Sequence, residues 1–359
     1  RKHSLALTRN EQGQETKMTL ETPLLLSGAP GSPYTRKMLS VLRYRHIPYR
    51  FLLSGHNVPA GLPTPKVALL PTFYLKDGDG AYEAAVDSTP LIRRFERAFT
   101  GRHVVPADPV IEFIDYLLED YADEWLTKAM FHYRWHYKTD IDRAAAILPL
   151  WRNITASNDT LAQMSKLFSE RQISRLYVVG SNETTAPVIE ASYQRFLDAM
   201  TAHLEVQPFL MGRRPGGSDF GVFGQLTQLT HFDPTPMEET LARSPRVFAW
   251  VDVMEDLSGL DPTDGDWMQR DAIPETIRGL LGEVGRVYVP ALIANAKALA
   301  AGSDKVETEI DGKPWVQQPF PYQGKCLQWL CEKREALTPA DRKTMDSVLE
   351  GTGVEALFS

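Results

Sequence analysis

The sequence predicts an α/β unit followed by an all-α domain, and three observations carry that prediction. Residues 24–96 alternate short apolar runs with one amphipathic stretch, in the order strand, helix, strand, then strand, strand, helix. From Pro109 onward, apolar residues recur at three- and four-residue spacing, the period of packed helices. Between the two patterns, Gly101, Pro106 and Pro109 interrupt the periodicity as a domain boundary does.

Leu24, Leu25 and Leu26 form the first apolar strand, and residues 28–33 (Gly-Ala-Pro-Gly-Ser-Pro) turn the chain into a helix whose apolar face is Met38, Leu39, Val41 and Leu42. Ile47, Pro48 and Tyr49 lead to a second strand at Phe51, Leu52 and Leu53. A proline-rich loop then reaches a third strand at residues 70–75, an Asp77-Gly78-Asp79-Gly80 hairpin turn, and a fourth strand around Tyr82 and Glu83. Asp87 and Ser88 open a helix that runs through Ile92 and Phe95.

In the helical half, Asp108 caps and Pro109 starts a long helix carrying Ile111, Ile114, Leu117, Leu118, Tyr121 and Trp125, continuing through Trp135. Single helices are expected over 142–168, 188–204 and 219–229. Gly216, with Asp219 three residues on, fits a capping box with glycine at the cap. Beyond Asp266 come an Ala/Leu helix over 274–301, a hairpin over 306–316 turning at Asp311-Gly312, and two short helices. Leu280, Val287, Tyr288, Trp315, Phe320 and Trp329 are too apolar for a solvated tail, so this extension is expected to pack on the helical domain. The boundaries drawn are an unstructured tail over 1–20, an α/β domain over 21–102, an all-helical domain over 106–262 and the extension over 263–359.

A chain of 359 residues is long enough for two domains and a sizeable core. Its net charge of −7, with no basic block, argues against nucleic acid and anionic membranes as main partners. No apolar run approaches the roughly 18–20 residues of a membrane span. Only two cysteines, Cys326 and Cys331, are present, which favours a reducing compartment and a cytoplasmic location. His132 and His136 lie four apart on the long helix, yet no third ligand has supporting spacing, so no metal is expected. Tyr133, Trp135 and Tyr137 read as a core stripe, part of which could line an apolar pocket.

Three local motifs carry a family resemblance: residues 32–38 (Ser-Pro-Tyr-Thr-Arg-Lys-Met), residues 70–73 (Leu-Pro-Thr-Phe) and Asp87-Ser88. In this order they resemble the thioredoxin-like N-terminal domain of the glutathione transferase superfamily, serine type. Residues 208–220 resemble the turn that opens a core helix in the family's all-α C-terminal domain. The resemblance implies glutathione as co-substrate and an enzyme in which the glutathione thiolate attacks an apolar electrophile. It leaves room for a homodimer.

Under that resemblance Ser32 stabilises the thiolate, with Tyr34 as the rival hydroxyl. Lowering a thiol pKa from near 8.5 by about two units requires roughly 2.7 kcal/mol of preference for the thiolate. One charged hydrogen bond of about 1.5–3 kcal/mol and a helix N-terminus worth up to about 1 kcal/mol suffice. Ser32 before Pro33 is equally the pattern of an ordinary N-cap with proline at the first helical position.

Leu70 would present its backbone to the tripeptide through a cis Pro71, a trans proline at a strand start being the alternative. Ser88 would meet the γ-glutamyl carboxylate at a helix N-terminus and Asp87 the ammonium, although the pair also reads as a simple cap. Lys66 is the candidate for the glycyl carboxylate, but it stands five residues before Pro71, where the family's motif has its lysine two before. The missing cysteine in the first-helix motif argues against thiol-transferase chemistry. The alternative from a different class is a non-catalytic member that keeps the fold as a binding or assembly module.

Overall fold

β1 (Leu24–Ser27) pairs in parallel with β2 (Tyr49–Leu52), and α1 (Pro33–Tyr44) forms the crossover between them in a computed structural model that describes residues 20–52, 58–76 and 80–359. β3 (Thr72–Leu75) runs antiparallel to β1, and β4 (Glu83–Ala85) antiparallel to β3, giving the sheet order β2-β1-β3-β4. α2 (Ser88–Ala98) closes the unit. Met38, Val41 and Leu42 of α1 and Ile92 and Phe95 of α2 are buried with Leu26, Phe73 and Leu75 of the sheet. This is a thioredoxin-like domain with a small mixed sheet. The expected N-terminal tail, Leu53 and the turn residues 77–79 lie outside the described residues, apart from Leu20, which is buried.

The region that follows is largely helical. α3 (Pro109–Tyr121) begins on the expected cap, with Asp108 accepting the N–H groups of Val110 and Ile111. It passes through a π-helical turn (Ala122–Leu126) into α4 (Thr127–His136). The single helix expected over 142–168 is instead a helical hairpin, α5 (Lys138–Arg152) and α6 (Asn158–Ile173). Asn153 turns extended, and Ser157 caps α6 by accepting the Thr160 N–H at 3.2 Å. Ile154, which fits the helical period in sequence, stands 75% exposed at the tip.

α7 (Ala186–Leu204), α8 (Gly217–His231), α9 (Pro234–Arg243) and α10 (Pro245–Glu255) complete this region. α8 starts as expected, the Gly216 N–H donating to Asp219 Oδ2 at 2.9 Å. The other oxygen of Asp219 accepts the Leu210 N–H at 2.7 Å, which ties the preceding turn to the same carboxyl.

The extension is folded. α11 (Glu275–Glu283) passes through a second π-helical turn (Val284–Tyr288) into α12 (Val289–Ala301). The hairpin of β5 (Val306–Ile310) and β6 (Lys313–Gln317) follows, then α13 (Pro321–Ala336) and α14 (Pro339–Leu349). Asp311 and Gly312 both have positive φ, 52° and 69°, as a two-residue hairpin turn of the primed type requires. Trp315 of β6 is fully buried with its ring 5.3 Å from that of Trp125, and α13 and α14 pack on α3.

Candidate functional site

The start of α1 shows how the site is built. Ser32 is the N-cap: its Oγ accepts the Thr35 N–H at 3.2 Å, and Pro33 occupies the first helical position. The Ser32 hydroxyl also donates to the carbonyl oxygen of Leu70 at 3.4 Å. Leu70–Pro71 is a cis peptide, so two motifs separated by 38 positions meet at one exposed spot. The ordinary-cap geometry and the contact with Leu70 therefore coexist in one side chain.

The helical region fixes this spot. Arg134 donates to the Gly31 carbonyl at 2.9 Å, and Gln228 to the Pro30 carbonyl at 3.1 Å. Arg134 is itself held in a bidentate pair by Asp233, with contacts of 2.9 and 2.8 Å. α8 approaches closely because position 224 is glycine: a Cβ there would stand 2.6 Å from the Pro33 carbonyl oxygen.

Tyr34 points elsewhere. Its hydroxyl donates to the Asp123 carbonyl at 2.7 Å, inside the interface with the π-helical turn, with Thr127 Oγ1 at 3.3 Å. Burial, with Glu124 and Asp123 adding to it, pushes the phenol well above its ordinary range and keeps it protonated. The structure thus brings Ser32, rather than Tyr34, to Leu70.

At the N-terminus of α2, Asp87 has φ +81°, a backbone conformation uncommon for a non-glycine residue, and its side chain does not cap the helix. Its Oδ2 accepts the hydroxyl of Tyr322, from α13, at 2.6 Å. Burial raises the Asp87 pKa, and the Tyr322 hydrogen bond works against that rise. Ser88 is buried, its Oγ accepting the Lys37 ammonium at 3.0 Å. Lys66 lies in the exposed loop ahead of Pro71, and no hydrogen bond or ion pair joins it to the other candidates among the described residues.

Lys37 lies within the 32–38 motif, which does not reveal its role. Fully buried on α1, it donates to Glu119 at 2.8 Å and Asp123 at 2.6 Å as well as to Ser88. Thr89 donates to the same two carboxylates, and Arg93 pairs with the far oxygen of Glu119 at 3.0 Å. Burial disfavours the Lys37 ammonium, but Asp123 and Glu119 outweigh it and raise its pKa. Glu119 also has burial against it, yet Lys37 and Arg93 hold its carboxyl below the usual range; at Asp123 burial prevails and the pKa is raised. The available signal was a lysine on the core side of α1 and the acidic run at 119, 120, 123 and 124 in an otherwise apolar helix.

His132 is buried with both ring nitrogens engaged, Nδ1 with Ser181 Oγ at 2.8 Å and Nε2 with Glu190 at 3.0 Å. His136 stacks on it with ring centres 4.6 Å apart. Among the described residues no group of three or more His, Cys, Asp or Glu side chains is arranged to hold a metal ion.

Residues 26–103, which include every candidate from Ser32 to Ser88, match the family model described as glutathione S-transferase, N-terminal domain. No curated protein matches the chain. Among solved structures, the chain is similar to the Tau class glutathione S-transferase of mango, Mangifera indica, at 16% identity over 72% of this chain and 95% of that one, with a TM-score of 0.38. The family match thus covers the N-terminal domain, whose sheet runs in the order β2-β1-β3-β4, and identifies residues 26–103 as similar to a glutathione S-transferase N-terminal domain.

Proposed function

We propose that the protein is a glutathione transferase in which Ser32, at the N-terminus of α1, stabilises the glutathione thiolate for attack on an apolar electrophile. The observation that carries this reading is the accessible Ser32 hydroxyl, 3.4 Å from the Leu70 carbonyl at the head of a helix. The Leu70 backbone pairs with the cysteinyl part of the ligand. The N-terminus of α2, with Ser88 and Asp87, receives the γ-glutamyl end, and Lys66 the glycyl carboxylate. Lys37 holds Ser88 in place from behind.

An apolar acceptor side is supported by Leu148. Its methyl group lies 2.4 Å from where a Cβ on Gly31 would be, and it lines a cavity of about 240 Å³ with Pro149, Met164, Leu167 and Phe168, with Arg152 and Arg171 as its charged lining. The same reading divides the chain at 21–102, 106–262 and 263–359. It also includes a cytoplasmic location, supported by two free thiols, and pairing of two chains, supported by the exposed apolar residues Val58, Val67, Leu69 and Tyr82 of the N-terminal domain. No helix among the described residues is long and apolar enough to cross a membrane.

Calorimetric titration with glutathione, combined with initial rates on a broad aromatic electrophile, tests the reading. Binding with turnover supports it; no binding overturns it. Binding without turnover favours a non-catalytic binding module, a reading motivated by Tyr322 and Lys37 already occupying Asp87 and Ser88.

A further inference from the structure

The contact between Tyr322 and Asp87 joins the C-terminal extension to the N-terminal domain across 235 positions. It is held in place from the extension's side. Asn295 of α12 donates to the Phe320 carbonyl at 3.0 Å and accepts the Phe320 N–H at 2.7 Å, which fixes the residue just before α13. One residue beyond Tyr322, Gln323 donates to the Glu124 carboxylate at 3.1 Å, and Cys326 is buried one turn later. The Tyr322 ring meets Trp329 edge to face at 5.9 Å. The start of α13 is thus anchored on both sides of Tyr322, and its hydroxyl is delivered to one oxygen of Asp87.

Asp87 and Tyr322 are both only partly buried, so the contact lies within reach of a ligand. The Asp87 carboxylate has Glu119 and Asp123 as acidic neighbours, with Glu124 acting on Tyr322, and the cation that acts on it, Lys37, is already shared between two carboxylates and Ser88. A primary ammonium brought by a ligand would find Asp87 favourable, but one of its two carboxylate oxygens is already engaged by a neutral donor from the protein itself.

We infer that Tyr322 is a specificity-determining residue at the γ-glutamyl end of the site, a hydrogen-bond latch that an ammonium-bearing ligand must displace from Asp87. The inference rests on the glutathione reading above and adds a regulator to it. Binding by displacement gives up one charge-assisted hydrogen bond, so affinity for the ammonium ligand is lowered while a ligand lacking the ammonium is unaffected. The extension therefore sets how strongly this chain discriminates by that group.

The experiment is calorimetric titration of the full chain and of Tyr322→Phe with glutathione and with its deamino analogue, glutaryl-cysteinyl-glycine, which keeps the thiol and both carboxylates. Tyr322→Phe should tighten glutathione binding about five- to tenfold and leave the analogue within about twofold. Asp87→Asn, a residue type that tolerates positive φ, should abolish the gain when combined with Tyr322→Phe. An equal change for both ligands, or no gain for glutathione, overturns the latch while leaving the glutathione site standing. Absence of glutathione binding in every protein overturns the site itself and the latch with it.

Discussion

The Ser32 oxygen accepts the Thr35 N–H at 3.2 Å and, through its own hydrogen, donates to the Leu70 carbonyl at 3.4 Å. One side chain therefore caps α1 and faces the ligand position, and the two roles separate by substitution. At an N-cap, glycine costs only a few tenths of a kcal/mol and alanine about 1 kcal/mol. Ser32→Gly and Ser32→Ala should both lower turnover with glutathione by about tenfold or more, whereas only Ser32→Ala should lower stability in urea by about 1 kcal/mol. Activity near wild type in Ser32→Gly would leave Ser32 a cap and nothing else.

Lys37 gives a second expectation, on the packing link of the chain. Its ammonium is fully buried and serves Glu119, Asp123 and Ser88, so Lys37→Met leaves two carboxylates facing one another without it. Breaking a buried pair from one side typically costs about 3–5 kcal/mol. Urea unfolding should register a loss of that order. A loss below about 1 kcal/mol would mean that the acids take up protons at little cost and that Lys37 is not what holds the two regions together.

What the sequence made legible follows from how local each signal is. The strand–helix–strand order, the Asp108 cap and the Asp311-Gly312 turn depend on residues a few positions apart, and the structure has them where the pattern put them. Ser32, Leu70, Asp87 and Ser88 were nameable because each belongs to a short motif. Lys37 lies inside the 32–38 motif, but its role was not legible, since a lysine on the apolar side of a helix runs against the periodicity that identifies the helix, and its carboxylate partners lie over 80 positions away. The break after Arg152 was hidden because Ile154 and Leu161 keep helical spacing across it. Tyr322 was beyond reach for the same reason as Lys37: no local pattern links it to Asp87.

Asp120 sets a pH expectation. Its Oδ2 accepts the Tyr288 hydroxyl at 2.6 Å, and burial pushes its carboxyl up to about 7 despite that bond. The folded state then holds the proton more tightly than the unfolded chain, where an aspartate titrates near 3.9, so stability is lost as pH rises from about 4 through about 7. Asp115, raised to about 7, and Asp219, raised to about 8, act in the same direction. Asp120→Asn keeps an acceptor for Tyr288 without a charge. Its stability relative to wild type should therefore grow by on the order of 2–3 kcal/mol between about pH 5 and pH 8. A difference that stays constant with pH would mean that Asp120 is ionised across that range.

The extension can be followed through its thiols. Cys326 is 1% exposed on α13, and burial, with Asp120 and Glu124 beside it, pushes its thiol far above the ordinary range. Cys331, five residues on, is partly exposed, and its thiol is raised less, again by burial first. Because the thiolate is the reactive form, a maleimide at neutral pH should modify Cys331 slowly and Cys326 only when α13 leaves α3 and α12. Cys326 should react at least about a hundredfold more slowly in the native chain than in urea, and proteolysis should spare residues 274–357 under the same native conditions. Tyr322→Phe removes one bond from α13 but none of those made by Asn295 or Gln323, so it should leave this protection intact. Rapid modification of Cys326 in the native chain would show that the extension detaches readily, and a hydroxyl carried on a detaching helix could not hold Asp87.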